Sequence, residues 1–179
     1  MSEFNTILWA PWRMEYILSL ADENKEGCFL CRYGNAPDQD AANHVVWRTD
    51  HTFIVMNRFP YTNGHLLISP YEHKEDLNDL TEDVFNDLWR QTRDAKTVLT
   101  ETMHPNGFNI GINFGLSAGA GLPAHIHMHI VPRWTGDTNF MAVLGDVRVV
   151  PESLDRTYEH ICAARSRLSF PRISDKPSS

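Results

Sequence analysis

Cysteine is scarce in this chain, with three among 179 residues, and three thiols cannot build the disulfide framework that staples small secreted domains. Long apolar runs are absent as well. No stretch approaches the roughly 20 apolar residues of a membrane span, and the N-terminus lacks the basic, apolar and small-residue succession of a secretion signal. A cytoplasmic protein without a membrane partner is expected. Positive charge is in deficit, since 16 Lys and Arg face 23 Asp and Glu for a net charge of −7. Binding a nucleic-acid backbone needs a basic surface, so nucleic acid is not an expected partner. A small polyphosphate ligand is not excluded, because a local cluster such as Arg58, Arg133 and loop amides would suffice. No internal repeat is visible, and 42% hydrophobic content is enough for one domain with its own core.

What the chain does contain is concentrated near residue 127. Residues 125–131 read His-Ile-His-Met-His-Ile-Val. A β-strand has a side-chain period of two, which puts His125, His127 and His129 on one face and Ile126, Met128 and Ile130 on the other. Imidazoles about 6–7 Å apart along a strand make a poor core and a good reactive site. Neutral imidazole serves as nucleophile, proton donor, proton acceptor or metal ligand near neutral pH. Directly before this row, residues 115–124 form a small-residue loop containing Gly115, Gly119, Ala120 and Gly121. Glycine permits positive φ and lets backbone N–H groups face an anion. Alone, such a loop reads as a turn; followed by a histidine row, it suggests phosphate on the loop and chemistry at phosphorus.

The rest of the chain supplies a scaffold. Apolar spacing predicts a first helix over 8–21, with Pro11 near its start. Strands are expected at 44–49, 51–57, 64–70, 108–114 and 124–132, with 135–150 extended. A long helix is predicted from Thr81 to about Met103, with Thr81 as N-cap and Glu82 and Asp83 in the first turn. Its apolar face is expected to carry Val84, Phe85, Leu88, Trp89, Ala95, Val98 and Leu99. A last helix runs from about Glu152 to Leu168, and Cys162 on it reads as packed and inert. The polar tail 171–179 is expected to be mobile. Residues 1–170 thus make one α+β domain, an antiparallel β-meander with one long helix and a C-terminal helix.

The triad at 125–131, together with Asn113-Phe114-Gly115 and the segment Asn57-Arg58-Phe59-Pro60-Tyr61-Thr62-Asn63-Gly64-His65, resembles the histidine-triad (HIT) superfamily of nucleotidyl hydrolases and transferases. The resemblance covers about residues 28–135. The segments Leu8-Trp9-Ala10-Pro11-Trp12-Arg13 and Val131-Pro132-Arg133-Trp134 look like a bacterial and archaeal branch that splits diadenosine polyphosphates with water or with phosphate. The resemblance implies a half-barrel whose sheet continues across a homodimer, a nucleotide or dinucleotide substrate, and no organic cofactor. It implies that His127 attacks the α-phosphate to form a nucleotidyl-histidine, and that His129 protonates or hydrogen-bonds the leaving oxygen. His65 matches a histidine near the triad, and Asn57 the position that meets the ribose. Asn113 and the amides around Gly119, Ala120 and Gly121 match the phosphate-holding positions. The fragile-histidine-triad pattern has a Gln in that loop where this chain has Gly119-Ala120-Gly121, so the attacking acceptor is left open.

Cys28-Phe29-Leu30-Cys31 reads by itself as a zinc pair, a redox pair or a coincidence. The zinc-bearing branches of the superfamily imply a structural zinc on Cys28, Cys31, His73 and His125. This chain carries one extra residue before His73, and His44 or His51 are the alternatives there. Two other readings stand beside the dinucleotide enzyme: a nucleoside phosphoramidase or adenylate-conjugate hydrolase, and a nucleotide-binding sensor without turnover.

Overall fold

The computed structural model describes residues 27–137, 150 and 152–170. The helix expected at 8–21, most of the extended segment at 135–150 and the tail at 171–179 lie outside the described residues. Helix α1 spans Phe29–Gly34 and is capped by Cys28, whose Sγ accepts the Cys31 N–H at 3.4 Å. A 3-10 turn at Pro37–Gln39 leads into the short helix α2, Asp40–Asn43. Strands β1 (Val45–Arg48), β2 (Thr52–Met56) and β3 (Leu66–Pro70) follow as antiparallel neighbours. Arg48 ties the preceding loop to β1, pairing with Asp40 at 2.6 Å and donating to the carbonyls of Tyr33 and Gly34.

Helix α3, Glu82–Met103, starts where its cap predicts, with Thr81 Oγ1 accepting the Val84 N–H at 3.4 Å. It ends at His104, which takes the left-handed conformation (φ 48°) that usually falls to glycine. Strand β4 (Gly107–Ile112), strand β5 (Met128–Arg133) and helix α4 (Leu154–Arg167, capped by Ser153) complete the described chain. The sheet order is β1-β2-β3-β5-β4, antiparallel throughout. The histidine strand therefore lies inside the sheet, with β3 on one side and the edge strand β4 on the other.

Period two decides what each face carries. Even-numbered Ile54, Met56, Leu66, Ile68, Met128 and Ile130 pack on α3 residues Leu88, Ala95, Val98 and Leu99 and on Ile161 of α4. Odd-numbered Phe53, Val55 and Leu67 face away from α3 and make a second, smaller core with Leu30 and Tyr33 of α1. The periodicity of α3 is only partly realised in burial. Phe85 and Trp89, expected on the apolar face, are 37% and 51% exposed, because they lie to one side of the stripe Val84, Leu88, Gln91 and Thr92 that is buried. On the outer strand, Ile110 is exposed too.

Strand β5 begins at Met128 rather than 124. The carbonyl of His125 is taken by the His127 side chain and the N–H of Ile126 by Lys74 O at 2.6 Å, so neither is free for a ladder. Just before β3, Gly64 has φ +75°, and a Cβ there would lie 2.5 Å from Met103 Sδ and 3.2 Å from Leu99 Cδ2. The close approach presses the corner before His65 onto the end of α3. We expect Gly64→Ala to cost about 2–5 kcal/mol, from left-handed backbone strain and overpacking together, measured by urea denaturation. A loss below about 0.5 kcal/mol, the range of ordinary surface substitutions, would show that this contact yields easily.

Candidate active site and metal centre

Three strands deliver their odd-numbered residues to one face, opposite α3. His65 immediately precedes β3, His129 sits in β5 opposite Leu67 of β3 and Gly111 of β4, and His127 precedes it on the approach to the strand. His65 is fully buried and His127 nearly so. The rings of His127 and His129 lie 4.9 Å apart, centroid to centroid, in edge-to-face contact, and those of His65 and His129 5.2 Å apart. Tyr61, absent from the sequence reading of the site, stacks over this group at 4.7 Å from His65 and 6.1 Å from His129. An aromatic in a loop between two strands carries no pattern that would mark it.

His127 donates from Nδ1 to the carbonyl oxygen of His125 at 2.7 Å. A backbone carbonyl only accepts, so the proton sits on Nδ1 and Nε2 keeps its lone pair. Burial lowers the pKa of His127, against the raising effect of that same carbonyl. Burial, with the charge of His127 adding to it, lowers His129 to about 4. Both rings are therefore neutral near pH 7. This environment suits a nucleophile whose lone pair must stay available.

Asn57, directly after β2, donates from Nδ2 to His65 Nδ1 at 3.2 Å while its Oδ1 accepts the Phe59 N–H at 2.9 Å. Asn113 reaches the carbonyl of Gly119 at 3.5 Å. The glycine loop folds back on itself: the N–H groups of Gly119 and Ala120 bond to the carbonyls of Leu116 and Gly115 at 3.0 and 3.3 Å. Those two amides, expected to cradle phosphate, are thus spent inside the loop, and positive φ at Gly115 and Gly119 serves that tight turn.

Beside the histidine row lies a second cluster. Cys28, Cys31, His73 and His125 place one ligand atom each within 4.8 Å of one another. Cys28 Sγ is 3.1 Å and Cys31 Sγ 3.4 Å from His125 Nδ1, and Cys31 Sγ is 3.1 Å from His73 Nδ1. The extra residue before His73 does not keep its ring from the group. His44 and His51 are not part of it: His44 pairs with Asp155 at 2.8 Å, and His51 is exposed at the β1–β2 turn. On the other edge of His125, Nε2 meets Ser69 Oγ at 3.1 Å and the Pro70 carbonyl at 3.0 Å, the outer support that metal-ligating histidines usually have. Burial, reinforced by the neighbouring Cys28, pushes the Cys31 thiol up to about 11. A bound divalent cation would reverse that, since thiolate is the ligating form. Two sulfurs and two imidazoles form a closed set suited to a structural metal.

The described residues thus form a five-stranded antiparallel sheet with one long helix, one C-terminal helix and a row of histidines on the face opposite the long helix. The HIT domain family model matches residues 38–136, and the chain belongs to the HIT domain family. A protein named AP-4-A phosphorylase from Mycobacterium tuberculosis (strain ATCC 25618 / H37Rv) is 37% identical over 154 residues, covering 84% of this chain and 79% of that protein. The bis(5'-nucleosyl)-tetraphosphatase (asymmetrical) of Schizosaccharomyces pombe is 34% identical over 95 residues, 53% of this chain and 52% of that one. A Zn-bound histidine triad family protein from Mycobacterium smegmatis superposes with a TM-score of 0.64 at 26% identity, over 79% of this chain and 95% of that chain. Among the described residues, no helix is long and apolar enough to cross a membrane.

The depressed pKa of His129 links the site to acid stability. Its folded value of about 4 lies below the roughly 6.5 of an unfolded histidine. Between those values the unfolded chain binds more protons, so this contribution is complete above about pH 6.5 and declines as pH falls toward 4. His129→Asn should therefore lose less thermal stability than the parent chain between about pH 7 and pH 5. Equal losses in both proteins would remove His129 as a source of acid lability.

Proposed function

We propose that the protein cleaves dinucleoside polyphosphates of the diadenosine tetraphosphate type through a nucleotidyl-His127 intermediate. One observation carries this reading. The Nδ1–H of His127 is committed to a carbonyl at 2.7 Å, which leaves Nε2 as a held lone pair beside His129, which burial keeps neutral. In the first step Nε2 forms a bond to the α-phosphorus and the α–β bridging P–O bond breaks, releasing the nucleoside polyphosphate. In the second, an acceptor oxygen bonds to phosphorus and the P–N bond breaks, restoring His127. Splitting one displacement into two lowers each barrier. Asn57 would meet the ribose through the second lone pair of its Oδ1. Asn113 and the loop Gly119, Ala120 and Gly121 would border the phosphates.

For the acceptor we favour inorganic phosphate, which turns diadenosine tetraphosphate into ADP and ATP. The short side chains at Gly119, Ala120 and Gly121 open room next to the intermediate, and the relative named AP-4-A phosphorylase, aligned over 84% of the chain, supports the same choice. We further propose zinc at Cys28, Cys31, His73 and His125, with a structural role, and a homodimer. The dimer reading rests on the family resemblance and on exposed apolar groups on the edge strand β4, just after it, and on α3: Ile110, Phe114 and Trp89, 42%, 44% and 51% exposed. A cytoplasmic location fits three free cysteines.

Separating nucleotides after reaction in phosphate and in phosphate-free buffer tests the chemistry. ADP plus ATP is expected in phosphate, and His127→Ala should lose several orders of magnitude in rate while still binding substrate. AMP formed equally in both buffers would leave a hydrolase, and a near-normal rate in His127→Ala would end the covalent mechanism. The two assembly proposals are read on one preparation. About one zinc per chain and a particle near twice the 20.5 kDa chain mass are expected. Cys31→Ser should lose the metal and melt earlier. Zinc-free, monomeric and fully folded protein would sink both.

A further inference from the structure

We infer that His65 is a positioning residue that dictates which nitrogen of His129 carries the proton, and that the network begins at two backbone amides. This inference rests on the reading that phosphorus chemistry occurs at His127. It assigns a role to His65, Asn57 and the Tyr61 backbone that the reading itself does not require.

At the start of this network, covalent structure fixes where the hydrogens lie. A backbone N–H can only donate. The Phe59 N–H donates to Asn57 Oδ1 at 2.9 Å, which orients that side-chain amide, so Nδ2 is the end facing His65 at 3.2 Å. The Tyr61 N–H points at the same His65 Nδ1, also at 3.2 Å. With two donors converging on it, Nδ1 of His65 must be the bare nitrogen, and a neutral ring then carries its proton on Nε2. That Nε2 lies 3.0 Å from His129 Nδ1. His129 Nδ1 must accept, so the His129 proton sits on Nε2. Among the described residues, this Nε2 is buried with no hydrogen-bond partner.

A buried N–H left unpaired costs about 1–3 kcal/mol, so a native site that retains one has a use for it. Here the unpaired N–H lies on the ring packed edge-to-face on His127 at 4.9 Å. The two adjacent imidazoles therefore present opposite polarity: His127 Nε2 offers a lone pair to phosphorus, and His129 Nε2 offers a hydrogen to an oxygen. The leaving phosphate oxygen departs as an anion. Because His129 is neutral, with its pKa held near 4, it stabilises that charge by a hydrogen bond and does not surrender its proton. With His65 absent, His129 would lose the hydrogen bond at Nδ1 that holds this tautomer. A ring protonated on Nδ1 would turn a lone pair toward the developing charge.

The test has two arms. In ligand-free protein labelled with nitrogen-15 histidine, long-range proton–nitrogen correlation reads each ring's tautomer. The result expected is a proton on Nε2 and a bare Nδ1 for both His65 and His129. A proton on His129 Nδ1 would overturn the proposal whatever the enzyme's substrate. The second arm uses a series of aryl esters of AMP, from dinitrophenyl to phenyl, so that the leaving oxygen becomes steadily more basic. His65→Leu should lose about 10–100-fold in kcat for the poorest leaving group, the worth of one hydrogen bond to a charged oxygen, and far less for the best. KM should hardly change. His65→Gln, whose side-chain N–H can face His129 Nδ1, should recover most of the loss. A uniform loss across the series, or no rescue by Gln, would mean that His65 only supports the fold. If the chain transfers AMP from no ester and no dinucleotide, the functional reading fails while the tautomer measurement still decides this proposal.

Discussion

The orientation of His127, on which the proposed chemistry rests, depends on one hydrogen bond, from His127 Nδ1–H to the carbonyl oxygen of His125 at 2.7 Å. It sets the tautomer of His127, holds the ring against rotation, and engages the carbonyl just before β5 begins. The irregular approach to the strand and the proposed chemistry thus share this bond. A neutral histidine with one nitrogen held by a fixed acceptor has little left to reorganise when the other nitrogen attacks.

His125 itself is held from three sides. Its Nδ1 faces the sulfurs of Cys28 and Cys31, its Nε2 faces Ser69 and the Pro70 carbonyl, and its backbone carries the acceptor for His127. The cysteine–histidine cluster therefore does more than fasten the α1 loop to the sheet. Any group bound there would stiffen the residue whose carbonyl positions His127. That is the preorganisation a site needs to keep its reacting atoms within fractions of an ångström. The second neighbour, His129, is governed from the opposite direction through His65, so the two imidazoles are oriented by separate parts of the sheet.

The fold also explains why these groups sit on one face and are buried without being part of the main core. Even positions of β2, β3 and β5 meet α3 and α4, and odd positions face α1, the cysteine–histidine cluster or the histidines. Burial here depresses the pKa values of the three triad histidines, with the main cause in each being loss of water. Apolar packing close by keeps imidazole neutral, the state that the proposed roles of the two rings, nucleophile and hydrogen-bond donor, require.

Much of this was legible from residues alone, because it depends on local periodicity. Strict alternation at 125–131 assigned the three histidines to one face, Thr81 followed by Glu82 and Asp83 marked the start of α3, and Cys28 and Cys31 at helical spacing could approach one another without any fold. The shape of the glycine loop was less legible: positive φ was expected, but whether its amides face outward depends on which carbonyls lie within reach. Exposure of Phe85 and Trp89 was likewise invisible, since helical spacing specifies a face and not what covers it. Tertiary structure alone brought His125 to cysteines 97 and 94 positions earlier and His65 to a histidine 64 positions later. The ring tautomers belong to the same class. A histidine's proton goes where the surrounding donors and acceptors send it, and those groups arrive from other strands. The sequence by itself determined which residue types lie on which face, while tertiary structure decided which nitrogen bears the proton.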